Sequence, residues 1–368
     1  MDKLNTKHFM FIIMGTSIVA MKTYPNVYIA NAGRDSWISV IIASIIFFSY
    51  FIFLLFVCKK TNCYNMDEIY RKALGKTMGD IFLVLFIISL IISLIESASV
   101  EANAMHVNML SDTPPWFFLI FMVIPAIYIA KKGTRSMVIV TIIGIILIMI
   151  AGINLGILTT PYKKGSYLLP IMAEGVTLPF ILSIIQALGC YGGIAICIPF
   201  LSQLTNKSKV ITHSIVAMLI VIQMEVVANI GILTTFGVFR ALSINYPKLI
   251  QTQLVSYFDF LEFGELFVML QMVGGWFLKY VLGLGAILIL LKKLSFTSKY
   301  WIYIISLVVF IVSFFISPKV ITLYKFLDFY VIFSAISFIL VPAMIFGIFY
   351  LRTKNNNKLF QKKIKNKR

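Results

Sequence analysis

Charged residues are scarce in this chain of 368 residues, where Asp, Glu, Lys and Arg together make up 12%. A soluble domain of ordinary composition carries about 25%. Hydrophobic residues make up 60% of the chain, and the mean hydropathy is +0.96. This balance excludes an ordinary soluble domain and predicts an all-α polytopic membrane protein.

Cysteine and histidine are also few, with four and three copies. Cys58 and Cys63 fall at a helix end predicted to face the cytoplasm, where thiols stay reduced, and Cys190 and Cys197 add no metal-ligand spacing. The sequence contains no nucleophile–base pair, phosphate loop or hydrolytic pair of acids. We therefore predict no disulfide, no metal, no other cofactor and no enzymatic activity.

Basic residues exceed acidic ones and give a net charge of +18. They alternate by loop: 23 fall in the loops and tail on the side of the termini, and 7 in the opposite loops. This asymmetry satisfies the positive-inside rule with both termini cytoplasmic. The basic residues form no surface interleaved with aromatic residues, which argues against nucleic acid as a partner. The tail at 351–368 is interpreted as a topology signal that also touches the anionic lipid bilayer.

Ten windows are long and apolar enough to cross a bilayer. They lie at about 7–30, 37–57, 80–105, 115–130, 136–159, 177–201, 210–238, 266–291, 300–316 and 326–350. Ten spans divide as five plus five, over 1–160 and 161–350, and an odd number in each half makes the second half an inverted repeat of the first.

The first and sixth windows are interrupted by small residues at matching places. The first carries Gly15, Thr16 and Ser17, and the sixth carries Gly189, Cys190, Tyr191, Gly192 and Gly193. In a bilayer, an unwound backbone survives only beside a cavity or a ligand. We therefore predict that helices 1 and 6 are unwound there and that these eight residues bind a small polar ligand.

The third window carries an unusual set of polar residues. Ser97 and Glu101 lie on one narrow helical stripe, whereas Glu96 lies on another face. A carboxylate at depth is costly, so Glu101 is expected to face a cavity or a partner. The alternative is that both acids lie near the outer boundary and are simply solvated. Gly274 in the eighth window is expected to allow close approach to the ligand.

Lys22 and Lys279 are basic residues within predicted spans. Lys22 could contact the ligand or act as a counter-ion, but we favour a snorkelling side chain. Glu225 in the seventh window is predicted to pair with Lys22 or Lys279.

The outer stretch 240–265 is expected to lie on the membrane surface, with a lid as the alternative.

Helix ends carry local signals. Gly33 is predicted to end the first span, and Asp35 to cap the second. Thr113 is predicted to cap the fourth, which begins with prolines. A short cytoplasmic helix is expected from about residue 66 to Gly75.

Several of these segments resemble the B subunit of spore germinant receptors. The most specific is the turn Ala32-Gly33-Arg34-Asp35-Ser36-Trp37; the others are Gly15-Thr16-Ser17, Leu110-Ser111-Asp112-Thr113-Pro114, Leu168-Leu169-Pro170 and Glu174-Gly175. The resemblance implies a LeuT-like arrangement of two inverted five-helix repeats, as in amino acid, polyamine and organocation transporters. It also implies a germinant sensor for an amino acid-like small molecule in the inner spore membrane, acting beside an A subunit and a lipoprotein C subunit.

One departure from that family concerns the entry to the eighth span. Relatives often carry an acidic–arginine pair there, whereas this chain reads Glu262-Phe263-Gly264-Glu265-Leu266. Two other functions remain open from the residues alone. One is a true amino acid permease coupled to Na⁺ or H⁺, and the other is an ion-conducting or structural membrane component.

Overall fold

The computed structural model describes residues 4–255 and 263–365, and within the second range the side chains of 266–355. The regular secondary structure of these residues is helical, apart from one isolated bridge between Leu4 and Leu204. The α-helices are α1 Thr6–Ser17, α2 Ala20–Thr23, α3 Asn26–Ala32, α4 Ser36–Thr61, α5 Met66–Leu74, α6 Lys76–Asn108, α7 Pro115–Lys131, α8 Thr134–Leu158, α9 Leu178–Cys190, α10 Val210–Ser243, α11 Pro247–Gln253, α12 Phe263–Lys293, α13 Trp301–Ile316, α14 Val320–Ser334 and α15 Val341–Lys365.

Within the described residues, seven helical runs are long and apolar enough to cross a membrane. They are Asn26–Thr61, Lys76–Asn108, Thr134–Leu158, Leu178–Gln203, Val210–Ser243, Leu266–Lys293 and Val320–Asn355. Helices α7 and α13 are apolar but shorter. The prediction of an all-α, multi-pass membrane protein is confirmed, and the count of ten spans stays a prediction.

Helix α8 shows why the sequences of the membrane helices are apolar on every face. Met137, Thr141 and Ile148 face the protein interior, whereas Ile143 and Ile150 are exposed. The exposed face is as apolar as the buried one because it meets hydrocarbon instead of water. The periodicity that marks a soluble helix is therefore absent from the sequence.

The turn between α3 and α4 differs from the prediction in one respect. Gly33 ends α3 as expected, with a φ of 54° that favours glycine. Asp35 occupies the N-cap position of α4 but makes no capping hydrogen bond. Its Oδ1 instead accepts a hydrogen bond of 2.9 Å from the backbone N–H of Met172, and Arg34 donates to the carbonyl of Pro170 at 3.5 Å. Two of the family-like segments are thus joined to each other.

Three other local predictions can be compared directly. Helix α5 ends before Gly75, as predicted. Helix α7 begins at Pro115 as predicted, but Thr113 makes no capping bond. The described part of the outer stretch 240–265 packs into the protein instead of lying on the membrane surface. Tyr246 is buried and donates to Oδ1 of Asn103, and α11 has buried residues of its own. Residues 256–262 of that stretch, and with them the altered segment around Glu262, lie outside the described residues.

The last span contains a widened turn. Helix α14 passes into a π-helix at Ala335–Leu340 before α15 begins. A π turn spaces its hydrogen bonds over five residues instead of four. Within it, the carbonyl of Phe338 accepts a hydrogen bond of 2.7 Å from the Tyr50 hydroxyl on α4.

Candidate functional site

The first helical segment bends shortly after Gly15-Thr16-Ser17. Helix α1 ends at Ser17, and Ile18 and Val19 separate it from α2. In the sixth segment, α9 ends at Cys190 and a 3₁₀ helix runs over Tyr191–Gln203. The tighter winding coincides with the glycines and with Pro199, which lacks an N–H to donate. Both irregularities fall at or beside the predicted positions, and a full unwinding of either helix stays a prediction.

The two irregular segments touch each other. A Cβ on Gly193 would overlap the carbonyl oxygen of Thr16, so only glycine allows this approach. The Thr16 hydroxyl also lies 3.2 Å from Sγ of Cys197 and donates back to the carbonyls of Ile12 and Ile13. Thr16 and Ser17 are buried, so this contact lies inside the bundle.

The remaining residues of the sixth segment face other helices. A Cβ on Gly189 would overlap the carbonyl of Val331, and one on Gly192 would overlap the hydroxyl of Ser334, both on α14. That hydroxyl donates to the Gly189 carbonyl at 2.7 Å. Gly189 and Gly192 therefore allow close packing against α14, and Gly193 alone of the three faces the first segment.

Tyr191 and Gly15 also have identified neighbours. The hydroxyls of Tyr191 and Ser44 lie 2.8 Å apart, and the ring of Tyr191 stacks on Phe47 with centroids 4.4 Å apart. Cys190 is buried. A Cβ on Gly15 would lie 2.9 Å from the methyl carbon of Thr141 on α8. Gly15 thus brings α1 close to α8.

A buried ion pair lies next to the contact between the segments. Nζ of Lys279 on α12 is 2.5 Å from Oε2 of Glu96 on α6, and the two side chains are 1% and 0% exposed. The Tyr24 hydroxyl donates to Oε1 of Glu96 at 2.6 Å. A Cβ on Gly193 would lie 3.3 Å from Cε of Lys279. The ion pair therefore borders the place where the first and sixth segments meet.

Aromatic rings enclose the lysine of this pair. Nζ of Lys279 lies 4.9 Å from the ring centroid of Trp276 and 5.7 Å from that of Tyr330. A cation over the face of an aromatic ring is attracted by the ring quadrupole, and more strongly when water is excluded. The ammonium is therefore compensated by a carboxylate and by two π faces.

The sequence did not identify this pair. Glu96 is not solvated at the membrane boundary, so that alternative is wrong for it. Lys279 pairs with Glu96 and not with Glu225. The available signal was that Glu96 and Lys279 are both charged residues within apolar spans, and such residues seek partners.

Ser97, Glu101 and Gly274 do not form one site. Ser97 is buried and donates to the carbonyl of Ser93 in its own helix. Glu101 and Gly274 both line a cavity of about 510 Å³ between α6, α7 and α12. Glu101 is buried rather than solvated, and its Oε2 has no hydrogen-bond partner among the described residues. The expectation that Glu101 faces a cavity is confirmed, although this cavity is otherwise lined mostly by apolar residues such as Phe121.

Lys22 lies in a second cavity, of about 430 Å³, between α2, α8, α10, α11 and α12. Its side chain is 4% exposed, so the interpretation as a snorkelling lysine is wrong. Both carboxylate oxygens of Glu225 are buried without a hydrogen-bond partner in the described part of the chain, and Lys22 is the basic group that acts on Glu225 most strongly. Glu225 and Lys22 are thus neighbours that interact electrostatically, although the Lys22 ammonium forms no salt bridge with the carboxylate.

Irregular helical segments that meet inside an all-helical bundle are typical of transporter-type membrane proteins. The fold agrees with this class. The crystal structure of MhsT in complex with L-phenylalanine superposes with a TM-score of 0.69, over 93% of this chain and 88% of that one. At 14% sequence identity, this likeness identifies a LeuT-like fold.

The sequence identifies the family. The family model described as "Spore germination protein" matches residues 3–320, and the chain belongs to this family of spore germination permeases. Spore germination protein XB of Bacillus anthracis is 24% identical over 252 residues, which span 68% of this chain and 69% of that protein. The family predicted from the short motifs is therefore confirmed. Family and fold are permease-like rather than enzymatic.

Proposed function

We propose that this protein is the membrane-embedded germinant-sensing subunit of a spore germinant receptor and that it binds a small polar nutrient, most simply an amino acid. In this proposal, ten spans form two inverted repeats over 1–160 and 161–350, and both termini, including the basic tail 351–368, face the cytoplasm. Membership of the spore germination family and a transporter-type fold support the role.

The contact of Gly193 with Thr16 beside the Glu96–Lys279 pair carries the proposal. An amino acid has one ammonium and one carboxylate, which match a buried carboxylate and a buried ammonium. When the first segment separates from Gly193, the ligand ammonium takes Glu96 and the ligand carboxylate takes Lys279. The total charge of the site is then the same with and without ligand, so neither state leaves an unpaired buried charge.

Ligand binding would then favour the conformation in which the first segment is separated from Gly193 over the one in which they touch. The partner subunits would respond to this change of conformation. Changing that equilibrium from 1:99 to 99:1 requires about 5.5 kcal/mol of differential affinity. The two new ion pairs and the peptide groups of the irregular segments are the source of that affinity. The A and C subunits of the receptor are the proposed partners.

A panel of amino acids added to the purified protein tests this proposal. One or more amino acids should raise the midpoint of thermal unfolding, since a ligand that binds only the folded state stabilises it. The amine and the carboxylic acid that each lack one charge of the best ligand should have little effect. If either analogue stabilises as well as the amino acid, exchange with the ion pair is refuted.

Two glycine variants localise the response. Gly193→Ala should abolish stabilisation by the ligand, because the new methyl group projects into the space beside Lys279 that the ligand would occupy once the first segment separates. Gly165→Ala is the matched control, since nothing lies within 4 Å of the added methyl group. Where Gly193→Ala does not accumulate, Ser17→Ala provides a milder change in the same segment. A normal ligand response in both Gly193→Ala and Ser17→Ala would place the site elsewhere.

A true permease is the second candidate, because the fold is shared with MhsT, whose structure contains L-phenylalanine. Co-purification with A and C subunits, and a germination response that needs all three, would favour the receptor. Uptake of a labelled amino acid into vesicles by this chain alone would favour the permease.

A further inference from the structure

Three lysines from separate parts of the chain line the cavity of about 430 Å³. Lys22 comes from α2, Lys163 follows the 3₁₀ turn after α8, and Lys248 comes from α11. Gln223 and Gln271 add amide groups, and the other lining residues are mostly apolar side chains of α8 and α10. A volume of this size is typical of small-molecule and cofactor sites, which span about 300–1,000 Å³.

Positive charge in this cavity exceeds negative charge. Among the described residues, none of the three lysines forms a salt bridge. Glu225 is the acid that acts on both Lys22 and Lys248. One carboxylate therefore acts on two of the three lysines that line the cavity, and an anion is the chemistry that would balance the remaining positive charge.

The ammonium groups also have few neutral partners. Nζ of Lys163 donates to the carbonyl of Gly156 at 3.3 Å, and Nζ of Lys248 donates to Oε1 of Gln251 at 2.8 Å. Lys22 makes no hydrogen bond to a described residue, although it is almost fully buried and lines the cavity. An ammonium has three donors, so most of the donors in this cavity remain for a ligand.

The electrostatics of the loop lysines agree with an anion site. Burial, followed by the nearby charges of Lys163 and Lys22, lowers the pKa of Lys248 to about 7, and Glu225 opposes this only in part. Burial also lowers the pKa of Lys163. A bound anion would favour the charged form of each lysine and reverse these shifts.

The mouth of the cavity borders the lipid-facing surface. Ile153 and Ile157 on α8 line the cavity and are 63% and 65% exposed, and Val227 on α10 is exposed beside them. Exposed isoleucine and valine on membrane helices are positions where hydrocarbon lies against the protein. A ligand with an anionic group and an apolar tail would fit both the lysines and this mouth.

We propose that Lys22, Lys163 and Lys248 form a binding site for a phosphate group, carried by an anionic phospholipid or by a small soluble phosphate. Phosphate offers more acceptor oxygens than a carboxylate, so three lysines converging from different elements can each bond to it. Basic pockets between membrane helices bind lipid headgroups by the same chemistry. This site is separate from the contact of the first and sixth segments, and it does not depend on the proposed nutrient.

Binding is tested with the full-length protein purified in a neutral detergent. The probes are inorganic phosphate, short-chain dioctanoyl phosphatidylglycerol and, as the zwitterionic control, dioctanoyl phosphatidylcholine. We expect phosphatidylglycerol or inorganic phosphate to bind at least about tenfold more tightly than phosphatidylcholine, since the quaternary ammonium of phosphatidylcholine neutralises its phosphate and is opposed by the lysines. Saturation by phosphatidylglycerol alone identifies a lipid site, and equal saturation by inorganic phosphate identifies a soluble anion.

Adjacent lysines provide a matched pair of variants. Lys163→Gln should weaken binding of the anionic probe about tenfold. Lys164→Gln should leave it unchanged, because Lys164 is exposed, does not line the cavity and lies over the ring of Tyr167. Lys248→Gln should weaken binding as Lys163→Gln does.

Two results would overturn the site. One is that neither phosphate nor phosphatidylglycerol binds better than phosphatidylcholine. The other is that Lys163→Gln binds the anionic probe as tightly as Lys164→Gln. Lys163 is only half-buried in a loop, so its variant is expected to fold and the comparison can be made even where Lys248→Gln does not accumulate.

Discussion

Replacing Glu96 by Gln would leave Lys279 buried without its carboxylate. The two side chains are 0% and 1% exposed and 2.5 Å apart, so water cannot replace the lost partner. Removing one member of a buried pair costs about 3–5 kcal/mol. We expect Glu96→Gln to lower the free energy of unfolding by that amount, measured by reversible denaturation in mixed micelles with tryptophan fluorescence as the signal.

A second ion pair in the same chain provides the control. Nε of Arg71 lies 2.6 Å from Oδ1 of Asp80, nearly the same separation, but these side chains are 34% and 32% exposed. Ion pairs that solvent reaches are worth about 0.2–1 kcal/mol, because solvent screens the charges. Asp80→Asn should therefore cost about 1 kcal/mol or less. Burial, and not distance, decides the difference between the two variants.

A double-mutant cycle isolates the pair itself. Glu96→Gln combined with Lys279→Gln should cost less than the sum of the two single changes, by about 1–3 kcal/mol, since neither buried charge is then left alone. The reasoning is refuted if Glu96→Gln costs no more than Asp80→Asn, or if the two single effects are simply additive.

Three further predictions concern other contacts. Gly192→Ala should lower stability by about 1–3 kcal/mol, and adding Ser334→Ala should recover part of that loss, because the new methyl group overlaps the Ser334 hydroxyl. Adding Ser334→Ala to Gly189→Ala should recover nothing, because the methyl group at Gly189 meets a backbone carbonyl of α14. Equal recovery in both double variants would contradict this packing. Asp35→Ala should cost about 1 kcal/mol in thermal stability, because it removes the hydrogen bond to the outer loop, whereas an unchanged stability would argue against that bond. The pKa of Lys248 is lowered to about 7 in the folded protein, so between pH 7 and 10 the unfolded chain holds a proton on this lysine that the folded chain has lost. The free energy of unfolding should therefore rise from pH 7 to 10. If the same rise is measured in Lys248→Gln, this lysine does not cause it.

Local and compositional signals predicted the architecture well. Hydropathy located the seven helical runs that are long and apolar enough to cross a membrane, since a long apolar run has few alternatives in a bilayer. Gly33 and Gly75 marked helix ends, because each adopts a positive φ that other residues avoid. The short helix α5 and its end at Gly75 were also predicted.

Contacts between distant segments were harder to predict. Helical spacing correctly separated Glu96 from the stripe of Ser97 and Glu101, but it could not reveal that Lys279, 183 residues away, faces Glu96. Which helix faces meet depends on the packing of the whole bundle. Lys22 was misinterpreted for the same reason, since α10 and α11 enclose it and neither is near it in sequence.

Asp35 illustrates a competition between a local rule and a tertiary one. An aspartate before a helix usually caps it, and the sequence pattern predicted this. A free backbone N–H in the loop near Pro170 provided another donor, and Asp35 accepts from that one.

The widened turn at Ala335–Leu340 has a mechanical consequence. Its Phe338 ring and the neighbouring Ser334 hydroxyl lie against Gly192, at the start of the tightly wound Tyr191–Gln203 stretch. Neither stretch has the regular bonding that makes an α-helix stiff along its axis. We therefore expect a twist of one end of the last span against the other to deform the backbone first where these two stretches touch.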